Sequence, residues 1–271
     1  MLPKDFSLDL DTDLQILFFD VGQADSILIS DNGTTLLIDA GNYEDGPYIT
    51  EYLKQLGITK IDYLIGTHAH EDHIGGMGNI IDNFEIGYFI MPESPSNITI
   101  KAYKEMEISR LNKDLPVTTP NIGDTFNIGD AVCVIKFVDN NLPRDINNAS
   151  IILEMSLGEQ SYLFMGDAGS SVEKNKSIEW QKTEVLKVGH HGSETASKIT
   201  FITAISPEIA IISVGTNNLY KLPKDSVINI LRDFCGNNIF RTDIDGTIYM
   251  KNVDGENIVQ LLKTNIDGNK K

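Results

Sequence analysis

The sequence has only two cysteines among its 271 residues, Cys133 and Cys235, and each lies in an apolar stretch. Isolated cysteines of this kind are typical of small core residues in a reducing compartment, so no disulfide is predicted. No apolar run approaches the ~18 residues of a membrane span, and we therefore expect no insertion into a membrane. The N-terminus also lacks the positive and apolar segments of a secretion signal. We expect a cytoplasmic protein, although a secreted protein whose signal had been trimmed would have the same sequence.

Basic residues are scarce as well. The sequence has 22 lysines and arginines against 39 aspartates and glutamates, which gives a formal net charge of −17. Such a charge repels phosphate backbones at long range and argues against a broad, sequence-independent grip on duplex DNA. A small phosphodiester, a nucleotide or a short single-stranded nucleic acid is a better match for it.

No repeat, low-complexity tract or linker divides the chain, so the sequence predicts a single domain over residues 1–271. The predicted strands are 14–21, 25–30, 34–40, 61–67, 131–138, 150–157, 161–167, 183–191, 207–215, 238–243 and 246–252, with a hairpin turn at Asn32-Gly33. The predicted helices are 47–57, 75–84, 99–113, 170–181 and 225–236. Strand groups in both halves, with helices between them, predict two sheets packed face to face with helices outside.

All five histidines lie in two short segments, T-H-A-H-E-D-H at 67–73 and the pair His190-His191. Both segments follow apolar strands, and Asp39 and Asp167 end two other strands in the same manner. Polar residues just past buried strands build the sites of α/β folds, because the core holds the strand ends rigidly while the loops stay free. We therefore expect these side chains to form one site.

The spacing within the first segment suits metal ligands. His68 and His70 are two residues apart in an extended segment, so their rings point to the same side and can share one ion. Asp72 and His73 come as the chain turns into the next helix, so they face a different direction and suit a second ion. Glu71 faces away from the others and is expected at the solvated surface. The segment is not H-E-x-x-H, so it does not indicate a zincin protease.

Residues from other strand ends complete this predicted centre. Asp167 is a plausible carboxylate bridge between the two ions, and one of His190 and His191 would close the second site. Two divalent ions about 3.5–4 Å apart can clamp an in-line displacement and generate hydroxide at neutral pH.

These residues resemble a known family. The segment H-A-H-E-D-H fits the H-x-H-x-D-H signature of the metallo-β-lactamase superfamily, with Asp39, Asp167 and His190-His191 in the expected order around it. Seven blocks are similar to the hydrolase domain of ComEC-type DNA-uptake proteins over about residues 14–250: FFDVGQADSILI, LLIDAG, THAHEDHIGG, FMGDAG, LKVGHHGS, ISVGTNNLY and FRTDIDG. The related phosphorylcholine esterases are also similar. The resemblance implies an α/β fold, the four-layer αββα sandwich, with a dinuclear site along its edge and hydrolysis of a phosphoester, more often a phosphodiester.

The sequence departs from the superfamily pattern at the first ion. Most members have a third histidine there, but no histidine occurs between His73 and His190. The ComEC-like pattern has an asparagine/serine stretch in this interval, and N-N-A-S matches it, which places Asn148 or Ser150 near the site. The first ion then keeps the two histidines of H-x-H, Asp167 and water. Such an oxygen-rich site makes Mn²⁺ a rival to Zn²⁺.

A second departure concerns the substrate. The family's N-x-Y-G-H-P reads N-L-Y-K-L-P here, so Leu222 replaces a histidine that could have touched substrate or donated a proton. Asn218, Tyr220 and Ser193 remain as candidates for substrate contact or for support of the ligands. The change leaves the reaction type more secure than the identity of the substrate.

The leading hypothesis is a metal-dependent phosphodiesterase or nuclease in which a hydroxide activated by the ions, held near Asp72, attacks phosphorus. By analogy with the esterases, His191 is expected to be the ligand, and His190 is expected to hold a phosphate oxygen or protonate the leaving group. The predicted supporting and substrate-contacting residues are Asp39, Asn148, Ser150, Ser193, Asn218 and Tyr220. Asp25, in the turn between the first two strands, is expected only to cap that turn.

Two other functions remain open from the sequence. One is a lactone or thioester hydrolase on the same fold, although such relatives normally carry the third histidine. The other is a non-catalytic protein that binds a metal and a partner or a signal nucleotide, which the change at Leu222 motivates. ComEC-type domains are usually attached to a membrane channel, so this chain either acts on a soluble substrate or meets a protein partner.

Overall fold

The computed structural model describes Pro3, residues 6–94 and residues 100–262. The strands in these residues are β1 Gln15–Phe18, β2 Ile27–Asp31, β3 Thr34–Ile38, β4 Lys60–Ile65, β5 Glu85–Ile90, β6 Val117–Thr118, β7 Thr125–Ile128, β8 Ala131–Phe137, β9 Ile152–Leu157, β10 Gln160–Phe164, β11 Val185–Lys187, β12 Ile209–Ile212, β13 Ile239–Arg241, β14 Thr247–Val253 and β15 Glu256–Leu262. The ends of the single domain predicted over 1–271 lie outside the described residues, and the single domain stays a prediction.

The helices are α1 Gly46–Gln55, α2 Glu71–Ile74, α3 Met77–Asn83, α4 Lys101–Asn112, α5 Ser170–Glu173, α6 Ile199–Ile205, α7 Asp225–Cys235 and α8 Thr242–Asp245. Short 3-10 helices cover Tyr43–Asp45, Ile146–Ala149 and Gly189–Gly192. No helix in the described part of the chain combines the length and the apolar character needed to cross a membrane.

The strands form two mixed sheets. The first has eight strands in the order β15-β14-β1-β2-β3-β4-β5-β6, and the second has seven in the order β13-β12-β11-β10-β9-β8-β7. The run from β3 to β6 is parallel, and so is the run from β10 to β13. The remaining pairs are antiparallel hairpins and their neighbours.

Alternation along the strands sorts the apolar side chains into layers. In β1, Ile16 and Phe18 face the core between the two sheets, while Leu17 between them faces the opposite way into a second cluster under α1 and α3. Across the central core Phe18 stacks on Phe164 of the other sheet, with ring centroids 6.4 Å apart. A third cluster lies under α6 and α7 on the outer face of the second sheet. The four-layer αββα sandwich predicted from the sequence is confirmed.

Several predicted elements are shorter than expected. The helix predicted over 170–181 ends at Glu173, because the Asn175 side chain accepts hydrogen bonds from the backbone N–H and the hydroxyl of Ser177 and so forms a local turn that competes with the helix. The strand predicted over 183–191 is only Val185–Lys187 and is followed by a tight turn. The hairpin turn is as predicted, with positive φ at Asn32 and Gly33.

The parallel strands position the site. Carboxyl ends of neighbouring parallel strands meet at one edge of a sheet. Asp39 follows the end of β3, His68 follows β4, Asp167 follows β10 and His190 follows β11. These residues are far apart in sequence but lie together at the carboxyl ends of the parallel strands. This arrangement is the structural basis of the prediction that polar residues at strand ends form one site.

Candidate metal centre

One group of side chains offers four metal ligands at this edge, and we refer to it as the four-ligand cluster. It consists of Asp72, His73, Asp167 and His191, whose ligand atoms all lie within 4.8 Å of one another. Nε2 of His73, Oδ1 of Asp167 and Nε2 of His191 are buried and have no hydrogen-bond partner among the described residues. Buried polar atoms are almost always paired, so three unpaired atoms in one cluster need an explanation. A divalent cation satisfies all of them, and two carboxylates with two imidazoles form an ordinary set of ligands for such an ion.

Asp39 orients His73 from behind. The Nδ1–H of His73 donates to Oδ2 of Asp39 at 2.7 Å, which leaves Nε2 of the same ring free on the side of Asp167. Asp39 is itself fixed by Thr67, whose backbone N–H and hydroxyl donate to its two oxygens at 2.8 and 2.7 Å. A carboxylate that holds the far nitrogen of a ligating histidine sets the tautomer and direction of the ring. The predicted supporting role of Asp39 has this geometry.

The histidine pair His68 and His70 lies beside the four-ligand cluster. Nε2 of His68 is 3.1 Å from Nδ1 of His70, so the two rings converge as the alternation of an extended segment predicts. The other nitrogen of His68 is held by hydroxyls, with Thr67 Oγ1 at 3.2 Å and Ser150 Oγ at 3.3 Å. Ser150 also accepts the backbone N–H of Asp167 at 3.1 Å. The residue predicted to lie near the first ion therefore supports two candidate ligands at once.

The two predicted sites are unequal. Among the described residues no group of three or more histidine, cysteine, aspartate or glutamate ligands gathers around the histidine pair as closely as the four-ligand cluster does. The absence of a third histidine, noted in the sequence, thus has no obvious replacement by another strong ligand in this part of the chain. An ion at the histidine pair would depend on Asp167 and solvent for its remaining ligands.

A strained turn points His190 and His191 in different directions. Both have positive φ, 50° and 52°, and Gly192 follows with 77°. Non-glycine residues in this region each cost of order 1–3 kcal/mol and persist only where the surroundings fix them. The His191 Nδ1–H donates to the carbonyl oxygen of Ser213 at 2.9 Å, so Nε2 faces Asp72 Oδ2 at 3.4 Å. The ring of His191 is buried against the four-ligand cluster.

His190 points into the open cleft instead. Its side chain is 27% exposed, and its Nε2 lies 3.8 Å from Oδ2 of Asp167. Its Nδ1 is 2.9 Å from the hydroxyl of Thr195, which fixes the ring. The Thr195 hydroxyl also lies 2.9 Å from Oγ of Ser193, one of the predicted substrate-contacting residues. The two adjacent histidines therefore have the different surroundings that the predicted division of roles requires.

Charge on the two buried imidazoles is balanced by the carboxylates. Burial opposes a proton on His73, but Asp167 and Asp39 raise the pKa of its imidazole well above the ordinary value. Burial also opposes a proton on His191, but the charge of Asp167 and the neighbouring carboxylate of Asp72 raise the pKa of its imidazole. Both imidazoles therefore hold a proton more tightly than a free histidine does.

The remaining groups of the centre shift in ways that favour metal binding. Burial, and then the charge of His73, lowers the pKa of His68 well below its ordinary value, so this ring is neutral. Burial opposes ionisation of Asp167, but His191 and His73 lower the pKa of its carboxyl well below the usual range. Asp72 shows the same direction: burial raises the pKa of its carboxyl, but the nearby imidazoles of His191 and His73 together lower it below the usual range. A neutral imidazole and ionised carboxylates are the protonation states that bind cations.

The centre opens into a cleft of about 600 Å³. Its lining is Gln23, His70, Glu71, Asp72, Asn147, Asp167, His190, His191, Ser193, Tyr220, Leu222 and Lys224. Of the asparagines in N-N-A-S, Asn147 faces the cleft, with Nδ2 3.5 Å from Nε2 of His190. Asn148, the asparagine singled out from the sequence, turns away and accepts the backbone N–H of Gly169 at 3.2 Å. It supports the loop after Asp167 and does not line the cleft.

The loop with the N-L-Y-K-L-P sequence forms one wall. Asn218 uses its side chain within the loop, donating to the carbonyls of Gly215 and Leu222 and accepting the N–H of Leu222. Tyr220 is 69% exposed at the rim of the cleft. Of these two predicted residues, Asn218 shapes the wall and Tyr220 is open to a bound molecule.

Sequence analysis missed several residues of the site. Thr67 and Ser213 hold the ligand histidines, Asn147 and Lys224 line the cleft, and Lys187 forms a buried ion pair with Asp25 at 2.6 Å. Asp25, expected only to cap a turn, lies 3.6 Å from Nδ1 of His191. A lysine at the end of an otherwise apolar strand, in V-L-K-V, was the signal that could have indicated a buried partner.

Comparisons with known proteins identify the family of the chain. The sequence profile of the metallo-beta-lactamase superfamily matches residues 19–216. ComE operon protein 3 of Bacillus subtilis (strain 168) is 28% identical over 261 residues, which cover 88% of this chain and 33% of that protein. Recombination protein 2 of Haemophilus influenzae is 30% identical over 229 residues, which cover 81% of this chain and 26% of that protein. The chain thus spans about a third or less of the length of these relatives, and the ComEC-type resemblance is confirmed.

The fold is also found in a distant solved structure. The crystal structure of CmlA, a diiron beta-hydroxylase from Streptomyces venezuelae, matches 89% of this chain and 54% of its own with a TM-score of 0.56 and 14% sequence identity. At that identity the likeness shows the fold alone. Together with the profile match and the four-ligand cluster, it leads to one assignment: the chain belongs to the metallo-beta-lactamase superfamily and is a metal-dependent hydrolase of that family.

Proposed function

We propose that the chain hydrolyses phosphodiester bonds in small substrates, such as a nucleotide or a short single-stranded nucleic acid, with two divalent ions, Zn²⁺ or Mn²⁺. The four-ligand cluster would hold one ion, and His68, His70 and Asp167 would hold the other. Bound ions of this kind supply a nucleophile at neutral pH and neutralise the charge that develops on the phosphoryl oxygens. A lactone or thioester substrate is the alternative, and comparing turnover of such substrates with that of a phosphodiester distinguishes the two.

The observation that carries the proposal is the contrast between His191 and His190. His191 is used within the four-ligand cluster, whereas His190 is exposed to the cleft with a fixed ring. A histidine held beside a metal centre without being needed as a ligand can donate a proton to a leaving oxygen or hold a phosphoryl oxygen. Cleavage of a phosphodiester calls for both actions: the leaving alkoxide needs a proton, and the phosphoryl oxygens need a contact that holds them.

The cleft supports a small anionic substrate in spite of the acidic surface. Lys224 lies in its lining and donates to the carbonyl of Tyr220 at 2.8 Å, which keeps the ammonium on the wall of the cleft. The exposed ring of Tyr220 offers a face on which a base can stack. A net charge of −17 for the whole chain still repels a long polyanion, so we infer that only a short one is bound.

The name of one relative is consistent with a nucleic-acid substrate. ComE operon protein 3 and Recombination protein 2 carry names that refer to an operon and to recombination, and the second name suggests nucleic acid. Because the chain spans about a third or less of their length, their other segments and partners are not carried over. We propose that a separate protein partner takes the place of the segments of those relatives that this chain does not match.

The test is hydrolysis of bis(p-nitrophenyl) phosphate by protein that has been stripped of metal and reloaded with Zn²⁺ or Mn²⁺. We expect turnover with at least one of the two ions, and we expect an Asp72→Ala variant to lose it. A panel of lactones and thioesters is run under the same conditions. Faster turnover of that panel than of the phosphodiester would reject the phosphodiesterase proposal in favour of the alternative.

A matched control excludes trivial loss of activity. Asp31 is buried and accepts two backbone N–H groups, from Asp130 and Ala131, at the far end of β2. An Asp31→Asn variant is expected to lose thermal stability while keeping its ions and its turnover. If folded parent protein that contains both ions hydrolyses none of the substrates, a non-catalytic role in binding a partner or a nucleotide becomes the better explanation.

Replacement of His190 by alanine is expected to lower kcat by about 100-fold or more, the usual contribution of a positioned acid or base, without changing the ion content. The reason is that His190 faces the cleft and the four-ligand cluster is complete without it. Metal analysis and steady-state kinetics on the same preparation check the result. A loss of one ion equivalent in His190→Ala would show that this residue is a ligand and that the assignment of roles is wrong.

A further inference from the structure

An ion pair between the two sheets lies directly behind His191. Nζ of Lys187, at the end of β11, is 2.6 Å from Oδ2 of Asp25, in the turn between β1 and β2. The side chains are 1% and 2% exposed, so both charges are removed from water. A lysine is almost never buried to this extent unless it is paired.

Each member of the pair holds part of the metal centre. Lys187 also donates to the carbonyl of Val188 at 3.3 Å, immediately before the strained turn that carries His191. The backbone N–H of Asp25 donates to the carbonyl of Asp72 at 3.0 Å. The pair therefore connects the backbones that present two of the four ligands, one from each sheet.

Asp25 also acts on the ring of His191. Its Oδ1 lies 3.6 Å from Nδ1 of that ring and has no hydrogen-bond partner in the part of the chain that the structure describes. The carbonyl of Ser213 accepts the Nδ1–H at 2.9 Å, so two acceptor oxygens lie on the Nδ1 side. This arrangement favours the tautomer that carries its proton on Nδ1 and leaves the Nε2 lone pair directed at the four-ligand cluster.

Stability alone does not account for the pair. A buried ion pair is often no more stabilising than apolar side chains of similar volume, because removing both charges from water costs about as much as their attraction returns. The neighbours of Lys187 in β11 are apolar. A methionine at this position would therefore pack without the cost of removing a charge from water. Because the pair also touches the backbone on both sides of the metal centre, it can hold the ligands in position.

We propose that the Lys187–Asp25 ion pair is a positioning device for the metal centre, which holds His191 and Asp72 in the orientation that binds the ion of the four-ligand cluster. Lys187 and Asp25 are positioning residues, because they act through His191 and Asp72. The inference rests on the metal site of the proposed function and not on its substrate.

The experiment is a titration of metal-stripped protein with Co²⁺, followed by visible absorption and by calorimetry. The variants are Asp25→Asn, Lys187→Met and the double variant, with Asp31→Asn as the control for loss of a buried carboxylate. Asp31 is the last residue of β2, and the four residue steps from Ile27 to Asp31 alone span roughly 13 Å away from the turn that holds Asp25. Thermal denaturation of the metal-free proteins is measured in parallel.

The double variant separates the two roles of the pair. Since it leaves no unpaired buried charge, it is expected to regain most of the thermal stability that either single variant loses. Its Co²⁺ affinity at the tighter site is nevertheless expected to be roughly 10- to 100-fold below that of the parent, with an altered spectrum, as for other residues that hold ligands from behind. Asp31→Asn should bind Co²⁺ like the parent.

A double variant that binds Co²⁺ with the affinity and spectrum of the parent would overturn the proposal and leave the pair as a structural contact. Should Lys187→Met prevent folding in either background, Asp25→Asn decides alone, because asparagine keeps the shape of the side chain. An unchanged affinity and spectrum in Asp25→Asn would equally overturn the inference. Parent protein that binds Co²⁺ but cleaves no phosphodiester would reject the proposed function and leave this inference standing.

Discussion

An Asp167→Asn variant is expected to lose tight metal binding and, with it, all measurable hydrolysis. Oδ1 of Asp167 is 3.4 Å from Nε2 of His73 and 3.7 Å from Nε2 of His191, and its other oxygen faces His190 at 3.8 Å. Asp167 also acts electrostatically on His68, so the proposed function assigns it as a ligand to both ions. Since residues that only support a ligand already contribute 10–100-fold in affinity, replacement of Asp167, a ligand proposed for both ions, is expected to lower the affinity by more than about 100-fold.

Metal analysis after dialysis and turnover of bis(p-nitrophenyl) phosphate measure the effect. Asp72→Asn is the matched comparison, because Asp72 faces only the four-ligand cluster and should spare an ion at the histidine pair. Asp167→Asn should lower the content of both ions. A variant that kept two ion equivalents and the turnover of the parent would show that Asp167 does not bridge the sites.

The chemistry-bearing residues could be predicted from the sequence because they are close together or end apolar strands. His68, His70, Asp72 and His73 lie within six residues, and their directions follow from an extended segment that turns into α2. Asp167 could be placed because the strand before it is apolar and ends at a glycine. Where local periodicity fixes direction, no knowledge of the fold is needed to group the ligands.

The supporting residues could not be predicted in the same way. Lys187 and Asp25 are 162 positions apart, and neither segment alone indicates that the two sheets bring them together. Asn147 and Asn148 are adjacent in a 3-10 helix, so a rotation of about one third of a turn decides which one faces the cleft. The sequence could name the stretch but not the residue.

Some elements were missed because tertiary packing overrides local preference. The segment of α6 is rich in isoleucine and threonine, which favour strands, yet it forms a helix that buries Phe201, Ile202 and Ile205 on one face. The strand β5 follows α3 almost without a break, so no turn residues mark its beginning. Burial against the sheets, rather than intrinsic preference, determines both.

Tight metal binding is expected to strengthen steeply with pH. In the metal-free protein the carboxylates raise the pKa of His73 well above its ordinary value and also raise that of His191, so both rings keep an added proton to higher pH than a free histidine does. A cation needs both Nε2 lone pairs, so two protons must leave. Below the raised pKa values the apparent association constant should therefore rise by about 100-fold per pH unit, tenfold for each proton, and level off above them.

The same protons also affect the stability of the metal-free protein, which falls with rising pH where metal binding strengthens. Because the folded pKa of His73 is raised, its contribution to stability is complete below the ordinary value of 6.5 and is lost as the pH rises through the folded pKa. The difference in Tm between metal-loaded and metal-free protein should therefore widen with pH over this window. Titrations in buffers of different ionisation enthalpy count the released protons directly. A pH-independent affinity without proton release would mean that His73 and His191 are neutral before the metal binds, and that the carboxylates around them do not hold the protons assigned here.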